Sequence, residues 1–281
     1  MPADTLRVLT QNLWGRRHDW PARQRVLAAA IEQLSPDIVA LQEVELDGGY
    51  DQARDVLGDG YDIVHSVARG PTDDGIAIGS KLPVVDHTEI DLQLSPRTRS
   101  FAPATQIVTV EAEAPLGRVV FANHNPSWQL ALEYEREVQA VRASDALERL
   151  GGGGPDDEPS VHVVVAGDFD AEPDAASVRF WTGRQSLDGR SVCYRDAWAS
   201  AHPGSPPAET FTPANPLQVD WDWPPRAIDH ILVRCGLHGG PTLAIRSCDV
   251  FLGEGVRGVW ASDHFGLTAD LVPPPPLEAR V

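Results

Sequence analysis

The sequence has little positive charge, few cysteines and no long apolar run, and each absence excludes a class of protein. Its 281 residues include 23 Lys and Arg against 41 Asp and Glu, which gives a formal net charge of −18. Proteins that hold nucleic acid through their overall field are basic, because their affinity comes mainly from phosphate contacts with Lys and Arg. The charge therefore disfavours binding of long DNA or RNA, but it is compatible with a nuclease whose bound metal reverses the local field.

No stretch approaches the roughly 18 consecutive apolar residues of a membrane-spanning helix, and the start Met-Pro-Ala-Asp-Thr lacks the features of a secretory signal. These absences predict a cytoplasmic protein without a membrane span. Cys193, Cys235 and Cys248 form an odd set without a close pair in sequence, which favours buried free thiols over a disulfide framework or a zinc site. Hydrophobic residues make up 42% of the chain, enough for a core, so a wholly disordered chain is excluded.

Apolar runs and helical periodicity divide the chain into short elements. Strands are predicted at 6–13, 37–44, 161–166, 227–233, 242–251 and 265–272, and helices at 22–34, 129–150 and 175–182. Residues 75–123 contain short strand-like segments between Pro, Gly and Asp, a pattern typical of an antiparallel meander.

Polar side chains lie after, before or within several of these apolar runs. They are Asn12, Glu43, His124, Asn125, Asp168, Asp170, Asp229, Asp263 and His264. Taken singly, each is explained as a turn residue or as the first solvated position after a strand. Together they predict a site at strand ends, because unrelated turns do not need to supply carboxylates, amides and imidazoles jointly.

These residue types suit hydrolysis at phosphorus. The oxygen ligands of Asn12, Glu43 and Asp263 match Mg²⁺ or Mn²⁺, whereas zinc would require Cys or clustered His. An imidazole is a suitable proton donor to a leaving oxygen, and Asp168 is a suitable base for a water molecule.

Six segments carry a resemblance to a known family. They are LTQNLWG, ALQEVE, FANHNPSW, VVAGDFDAEPD, RAIDHILV and ASDHFGL. In this order they resemble the endonuclease/exonuclease/phosphatase superfamily, which has the deoxyribonuclease-I-like fold. The resemblance implies an α/β (α+β) protein, a four-layer α/β/β/α sandwich with two central, mostly antiparallel sheets. It implies one catalytic domain over residues 1–281, with 151–160 as a flexible surface loop and 273–281 as a Pro-rich tail.

The resemblance also implies roles for the polar residues. It assigns catalysis to His124, Asp168, Asp229 and His264, and metal binding to Asn12, Glu43 and Asp263. Asp168 matches the residue that activates the attacking water, and His264 matches the histidine that contacts the scissile phosphate. Asp229 matches the carboxylate that orients this histidine, a contact that favours the imidazolium.

Asp170 departs from the family pattern, which usually has Asn at this position. An ionised carboxylate would repel a phosphoryl oxygen, so Asp170 is protonated, binds a second cation, or marks a site that has lost activity. We assign Asp170 to the metal set.

The substrate is the least determined part of the prediction. Trp14, Asn125 and Trp128 are candidates for substrate binding, Arg99 is a candidate phosphate contact, and a further aromatic loop spans Asp220–Trp223. The sequence predicts a Mg²⁺- or Mn²⁺-dependent phosphoesterase that acts on a small-molecule or lipid-linked phosphodiester, or on a monoester. A DNA or RNA nuclease and a non-catalytic binding module are the alternatives, and no protein partner is predicted.

Overall fold

The computed structural model describes residues 4–99, 102–152, 161–218, 223–237 and 239–274. Three sequence predictions therefore lie wholly or partly outside the described residues. They are the loop at 151–160 from residue 153 onward, Asp220 to Asp222 of the aromatic loop, and the tail from residue 275 onward.

Thirteen strands are present in these ranges. They are β1 (Leu6–Asn12), β2 (Ile38–Asp47), β3 (Tyr50–Asp51), β4 (Asp62–His65), β5 (Asp74–Ser80), β6 (Val84–Asp91), β7 (Ala104–Glu111), β8 (Arg118–Asn125), β9 (His162–Asp168), β10 (Tyr194–Asp196), β11 (Asp229–Arg234), β12 (Ala244–Phe251) and β13 (Gly266–Val272). The first sheet has the order β12-β13-β1-β2-β5-β4, with β3 paired to β2, and the second has the order β10-β11-β9-β8-β7-β6.

Two neighbouring pairs are parallel, β1 with β2 and β8 with β9, and the other pairs are antiparallel. Each parallel pair is joined by a helix, because a chain that returns to the same end of a sheet needs a crossover. The prediction of two mostly antiparallel sheets is confirmed.

Five α-helices accompany the sheets in the described ranges. They are α1 (Trp20–Leu34), α2 (Gln52–Leu57), α3 (Glu133–Gly151), α4 (Ala176–Trp181) and α5 (Ala197–Ala201). Asp19 begins α1 by accepting a hydrogen bond from the Ala22 N–H, and Pro21 fits its first turn. The helix ends at Leu34, and its C-cap residue Ser35 directly precedes a proline.

Apolar side chains form three layers that hold the sandwich together. Between the sheets, Ile38 of the first packs in one cluster with Phe121 of the second. Leu27 and Ile31 of α1 cover the outer face of the first sheet, and Leu147 of α3 covers that of the second. Because the central strands are thus buried on both faces, they form continuous apolar runs in the sequence, whereas the edge strand β6 is mostly exposed. The four layers agree with the predicted α/β/β/α sandwich.

The predicted meander over residues 75–123 is only partly right. The strands β6, β7 and β8 form an antiparallel meander in the second sheet, but β5 lies in the first sheet between β2 and β4. The chain crosses from one sheet to the other at residues 81–83. Since strand-like segments continue on both sides of the crossing, the pattern of residues does not indicate this change of sheet.

The cysteines form no disulfide, but they are not all buried. Cys235 and Cys248 are buried, whereas Cys193 is exposed. Cys193 and Cys235 also lie side by side, because β10 pairs with β11.

Within the described ranges, no helix is long and apolar enough to cross a membrane. The cytoplasmic location stays a prediction.

Candidate active site

The predicted site residues come from both sheets and meet where strands of the two sheets end. Three belong to the first sheet: Asn12 ends β1, Glu43 lies in β2 and His264 precedes β13. Three belong to the second: His124 lies near the end of β8, Asp168 ends β9 and Asp229 begins β11. Strand ends on packed sheets have little freedom to move, so these side chains are held in fixed positions.

Backbone strain marks three of the predicted site residues. The backbone angle φ is 50° at Glu43, 57° at Trp14 and 52° at Asp170, values that residues other than glycine rarely adopt. At Glu43 the cause is a bulge, since the register of β2 against β5 shifts between Leu41 and Val44. A bulge turns a side chain away from the direction it would have if side chains alternated regularly between the two faces of the strand. Such strain persists only where the surroundings enforce the conformation.

Asn123 enforces this conformation from the opposite sheet. Its Nδ2 donates to the main-chain oxygens of Leu41 at 2.8 Å and Ala77 at 3.0 Å, and its Oδ1 accepts from Gln42 Nε2 at 2.7 Å. Asn123 is fully buried. It therefore links β8 to β2 and β5 beside the bulge that carries Glu43.

Gly167 allows the second sheet to place His124 against β9. A Cβ atom on Gly167 would lie 2.1 Å from the main-chain oxygen of His124, and its φ is 151°. Only glycine fits such a close approach of two backbones.

The centre of the site is a buried group of two carboxylates and one imidazole. Asp229 Oδ2 lies 3.0 Å from His264 Nδ1, and Asp168 Oδ2 lies 3.8 Å from His264 Nε2. Asp168 and Asp229 face each other directly across β9 and β11. Among the described residues, these three have ligand atoms that all lie within 4.8 Å of one another.

Burial and mutual charge shift the pKa values of this group. Burial raises the pKa of Asp168 to about 6, helped by Asp229 and opposed by His264. Burial alone would lower the pKa of His264, but the carboxylates of Asp229 and Asp168 outweigh it and hold that pKa well above its ordinary value. The histidine is therefore an imidazolium between two carboxyl groups near neutral pH.

Asn12 connects this centre to Glu43. Its Nδ2 donates to Asp168 Oδ2 at 3.0 Å and to Glu43 Oε1 at 3.2 Å, while its Oδ1 accepts from the Trp14 N–H at 2.8 Å. Glu43 Oε2 also pairs with Arg17 at 2.7 Å. In this orientation the amide of Asn12 bridges two carboxylates through its nitrogen. To offer oxygen to a metal, the amide would have to turn over, a choice set by the hydrogen-bond network.

Asp263 lies next to His264 and near Glu43. Burial raises the pKa of Asp263 to about 7, the charge of Glu43 raises it further and His264 lowers it. Its Oδ1 accepts from the Ser262 hydroxyl at 3.2 Å, and its main-chain oxygen accepts from Gln218 Nε2 at 2.7 Å. Its backbone position is thus fixed on the side of the site that carries Glu43.

Asp170 lies beside Asp168 but outside the central group. Its N–H donates to Asp168 Oδ1 at 3.1 Å, and its main-chain oxygen accepts from Arg226 at 3.0 Å. Burial, followed by the charge of Asp168, raises the pKa of Asp170 well above its ordinary value. Both the protonated form and a cation at this carboxyl group agree with these surroundings, so the metal role predicted for Asp170 stays a prediction.

His124 is a neutral imidazole inside an aromatic cage. Its Nδ1 lies 2.7 Å from the Thr105 hydroxyl, and its ring contacts Phe169 and Trp181 edge-on. Burial lowers its pKa to about 3, and no charge in the described part of the chain offsets this loss of solvent.

The donor set fits a hard divalent cation. The buried Oδ1 of Asp229 has no hydrogen-bond partner in the described part of the chain. Asp168, Asp170 and Asp263 are all buried strongly enough to raise their pKa values. The carboxylate and amide oxygens gathered here match the preference of Mg²⁺ or Mn²⁺ for oxygen ligands, whereas the protonated His264 has no free lone pair for a metal.

The four predicted substrate residues differ in their exposure to solvent. Asn125 is buried at the end of β8, and Trp14 is half-buried between His18 and the guanidinium groups of Arg17 and Arg23. Trp128 is 41% exposed, and Arg99 is exposed after a short 3₁₀ helix, Pro96–Thr98. Their roles in binding stay predictions.

Arg23 is an organising residue that the sequence reading missed. Its guanidinium donates to the main-chain oxygens of Leu13, Gly15, Arg17 and Ala261, which fixes the loop around Trp14 to the segment before Asp263. Its position in the sequence could have indicated this, because Arg23 lies four residues before Leu27 and eight before Ile31 and so falls on the buried face of α1.

The arrangement of sheets, helices and strand-end site defines a sandwich of the deoxyribonuclease-I-like class. Solved structures of this class align over nearly the whole chain. Truncated TDP2 of Caenorhabditis elegans has 20% identity and a TM-score of 0.74, covering 95% of this chain and 98% of its own. TDP2 of D. rerio, complexed with single-strand DNA product, has 17% identity and a TM-score of 0.69 over 95% of this chain and 98% of its own. The human nocturnin catalytic domain, with bound sulfate, has 20% identity and a TM-score of 0.70 over 96% and 94%.

At these identities the structural likeness establishes the fold. The family follows from the sequence: residues 9–264 match the model of the Endonuclease/Exonuclease/phosphatase family, so the chain belongs to that family. Its members are hydrolytic enzymes that act on phosphate esters and generally use divalent metals. No curated protein sequence matches this chain.

Proposed function

We propose that this protein is a divalent-metal-dependent phosphoesterase that hydrolyses a phosphodiester of a small-molecule or lipid-linked substrate by attack of water. The observation that carries the proposal is the position of His264 between Asp229 and Asp168, with Asn12 linking Asp168 to Glu43. An imidazolium, a carboxyl group with a pKa near neutrality and a hard-oxygen cluster are the components needed for hydrolysis of a phosphate ester.

His264 supplies positive charge to the phosphate. Asp229 holds Nδ1 at 3.0 Å, so Nε2 is the nitrogen left to donate to a phosphoryl or leaving-group oxygen. Asp168 is the base for the attacking water, since its pKa of about 6 lets it ionise near neutral pH and accept a proton there.

His124 contributes a neutral donor. The Thr105 hydroxyl can donate to Nδ1, an arrangement that leaves the ring proton on Nε2. A neutral ring keeps this hydrogen-bond pattern across the working pH range.

Glu43, Asn12 and Asp263 would hold the metal ion, and Asp170 would extend the set. When bound, Mg²⁺ or Mn²⁺ would stabilise negative charge on the phosphoryl oxygens and orient the substrate. The Arg17 guanidinium that now pairs with Glu43 at 2.7 Å offers a second positive contact at the same edge.

Exposed apolar side chains that follow β8 in the sequence support a small or lipid-linked substrate. Trp128, Leu130 at the start of a short 3₁₀ helix and Tyr134 in α3 have exposed fractions of 41%, 58% and 71%. Large exposed apolar side chains beside a polar site suit the apolar part of a substrate. The net charge of −18 opposes a long nucleic acid. The alternative, a nuclease, is supported by the DNA product bound to D. rerio TDP2.

The test is a substrate panel with purified protein. Bis-p-nitrophenyl phosphate, p-nitrophenyl phosphate and supercoiled plasmid are each incubated with Mg²⁺, Mn²⁺ or EDTA, and His264→Ala is run in parallel. We expect EDTA-sensitive cleavage of the small diester that His264→Ala abolishes. Cleavage of the monoester alone would show that the enzyme is a phosphomonoesterase and not a phosphodiesterase. Nicking of plasmid alone would favour the alternative function, a nuclease. No cleavage with either metal would contradict the proposal and favour a binding module.

A further inference from the structure

A pair of thiols lies at the edge of the second sheet, away from the candidate active site. Cys193 directly precedes β10, and Cys235 directly follows β11. Since Tyr194 lies opposite Arg234 in the antiparallel pair, Cys193 lies opposite Cys235. The main-chain N–H of Cys235 donates to the oxygen of Cys193 at 2.9 Å, which continues the ladder to these two residues.

This position suits a disulfide. Residues directly opposite each other in a hydrogen-bonded antiparallel pair have Cα atoms about 5.5 Å apart. Disulfides span Cα distances of about 4.4 to 6.8 Å, with a mode near this value. The bond can therefore form without a rearrangement of β10 or β11.

The two thiols differ in exposure to solvent and in pKa, as expected of a reactive pair with one attacking and one resolving thiol. Cys193 is exposed, whereas Cys235 is 8% exposed. A hydrogen bond from the Cys235 thiol lowers the pKa of Cys193 to about 6, and the charge of Arg195 lowers it further. The same contact raises the pKa of Cys235. Cys193 is thus an accessible thiolate near neutral pH, and Cys235 is a protonated thiol in contact with it.

Cys248 provides an internal contrast. It is buried, and burial raises its pKa well above the ordinary value. A thiol of this kind stays protonated and shielded from solvent, so it is inert to mild oxidants.

We propose that Cys193 and Cys235 form a peroxide-reactive dithiol that closes to a cross-strand disulfide. The Cys193 thiolate attacks one peroxide oxygen, the O–O bond breaks, and Cys193 becomes a sulfenic acid while the other oxygen leaves as hydroxide and takes up a proton. The Cys235 sulfur then attacks the sulfenic sulfur, the S–O bond breaks and water leaves. Two thiols are oxidised, and one hydrogen peroxide is reduced to two waters.

The disulfide would brace the edge of the sheet rather than block the site. Asp229 lies at the opposite end of β11, about 20 Å along the strand from Cys235 at roughly 3.3 Å per residue. The bond would close a loop of about 40 residues, and a closed loop restricts the unfolded chain. We therefore expect a higher melting temperature in the oxidised protein and little change in cleavage rate.

The test compares reduced full-length protein before and after one equivalent of hydrogen peroxide. After the protein is unfolded in guanidinium chloride without reductant, free thiols are counted with a chromogenic disulfide reagent, and the cross-linked peptide is identified by mass spectrometry. We expect the count to fall from three thiols to one, a rise of several degrees in Tm, and reversal of both by dithiothreitol. Cys248→Ser is the matched control and should lose two thiols in the same way.

The single variants separate the two chemical steps. Cys235→Ser should accumulate a sulfenic acid at position 193 that dimedone traps, and Cys193→Ser should react much more slowly than wild type. Retention of all three thiols in the wild type, or oxidation of Cys248 at the rate of Cys193, would overturn the proposal. A disulfide between two chains in place of the intrachain one would overturn it as well.

Discussion

Replacement of Asn123 by alanine is expected to weaken the fold more than almost any other single polar substitution. The side chain makes three buried hydrogen bonds, at 2.7, 2.8 and 3.0 Å, and all three reach the opposite sheet. Truncation leaves the main-chain oxygens of Leu41 and Ala77 and the amide of Gln42 without this partner. A buried group that loses its partner costs about 1–3 kcal/mol, and a typical hydrogen bond contributes about 1 kcal/mol. We expect Asn123→Ala to lower the free energy of unfolding by about 3–5 kcal/mol.

The assay is urea unfolding followed by tryptophan fluorescence. We expect a lower midpoint with an unchanged m-value, because the surface exposed on unfolding is nearly the same. Gln106→Ala is the matched control, since Gln106 lies opposite Asn123 on β7 and its side chain makes one hydrogen bond within the described residues, to the main-chain oxygen of Val64 at 3.1 Å. It should cost about 1 kcal/mol. A loss below about 1 kcal/mol in Asn123→Ala would refute the view that this residue supports the bulge at Glu43.

Three further predictions concern the groups around the site. The pKa of His124 is about 3 in the folded protein and 6.5 ordinarily, so the unfolded chain binds more protons between these values and the folded state loses stability as the pH falls through them. His124→Gln should therefore make the free energy of unfolding less dependent on pH between about pH 6 and pH 4.5. An unchanged dependence would contradict this. Gly167→Ala should lower the free energy of unfolding by more than about 2 kcal/mol in thermal unfolding, because the added Cβ would lie 2.1 Å from the main-chain oxygen of His124. A variant as stable as wild type would contradict this close approach of the two backbones. Arg23→Lys should destabilise the fold by about 2 kcal/mol and raise KM, because lysine lacks the planar guanidinium that donates to four main-chain oxygens. An unaltered Tm and KM would show that Arg23 does not hold the loop around Trp14 in place.

The layers and the strand ends could be predicted from the sequence because both depend on local patterns. Ile38 to Leu41 form a continuous apolar run since β2 is buried on both faces, and Glu43 follows where the run ends. The same reasoning located Asp168 after β9. Prediction of these residues needed no knowledge of what lies opposite them.

Contacts between the sheets could not be predicted in this way. Asn123 has the same sequence context as any polar residue at a strand end, and its role depends on Leu41 and Ala77, which belong to the other sheet. The pairing of Cys193 with Cys235 likewise requires knowing that β10 joins β11 at an edge. The orientation of the Asn12 amide depends on the Trp14 N–H, whose direction follows from a strained loop.

Short elements were missed for a different reason. The helix α2, Gln52–Leu57, and the strand β4, Asp62–His65, span too few residues for a periodic pattern to emerge. Their stability comes from packing on the first sheet, where Val56, Leu57 and Tyr61 join the cluster under α1.

The most direct test of the central claim is the hydrolysis of bis-p-nitrophenyl phosphate by Asp168→Asn compared with Asp37→Asn. Asp37 is a partly buried aspartate that accepts a hydrogen bond from the Arg7 N–H, and it directly precedes β2 of the first sheet, whereas Asp168 ends β9 of the second. A base for the attacking water contributes about 10²–10⁴-fold to the rate. We predict that Asp168→Asn lowers kcat/KM by at least about 100-fold at an unchanged far-ultraviolet spectrum, while Asp37→Asn stays within a few-fold of wild type. Equal activity of the two variants would contradict the assignment of hydrolysis to this site.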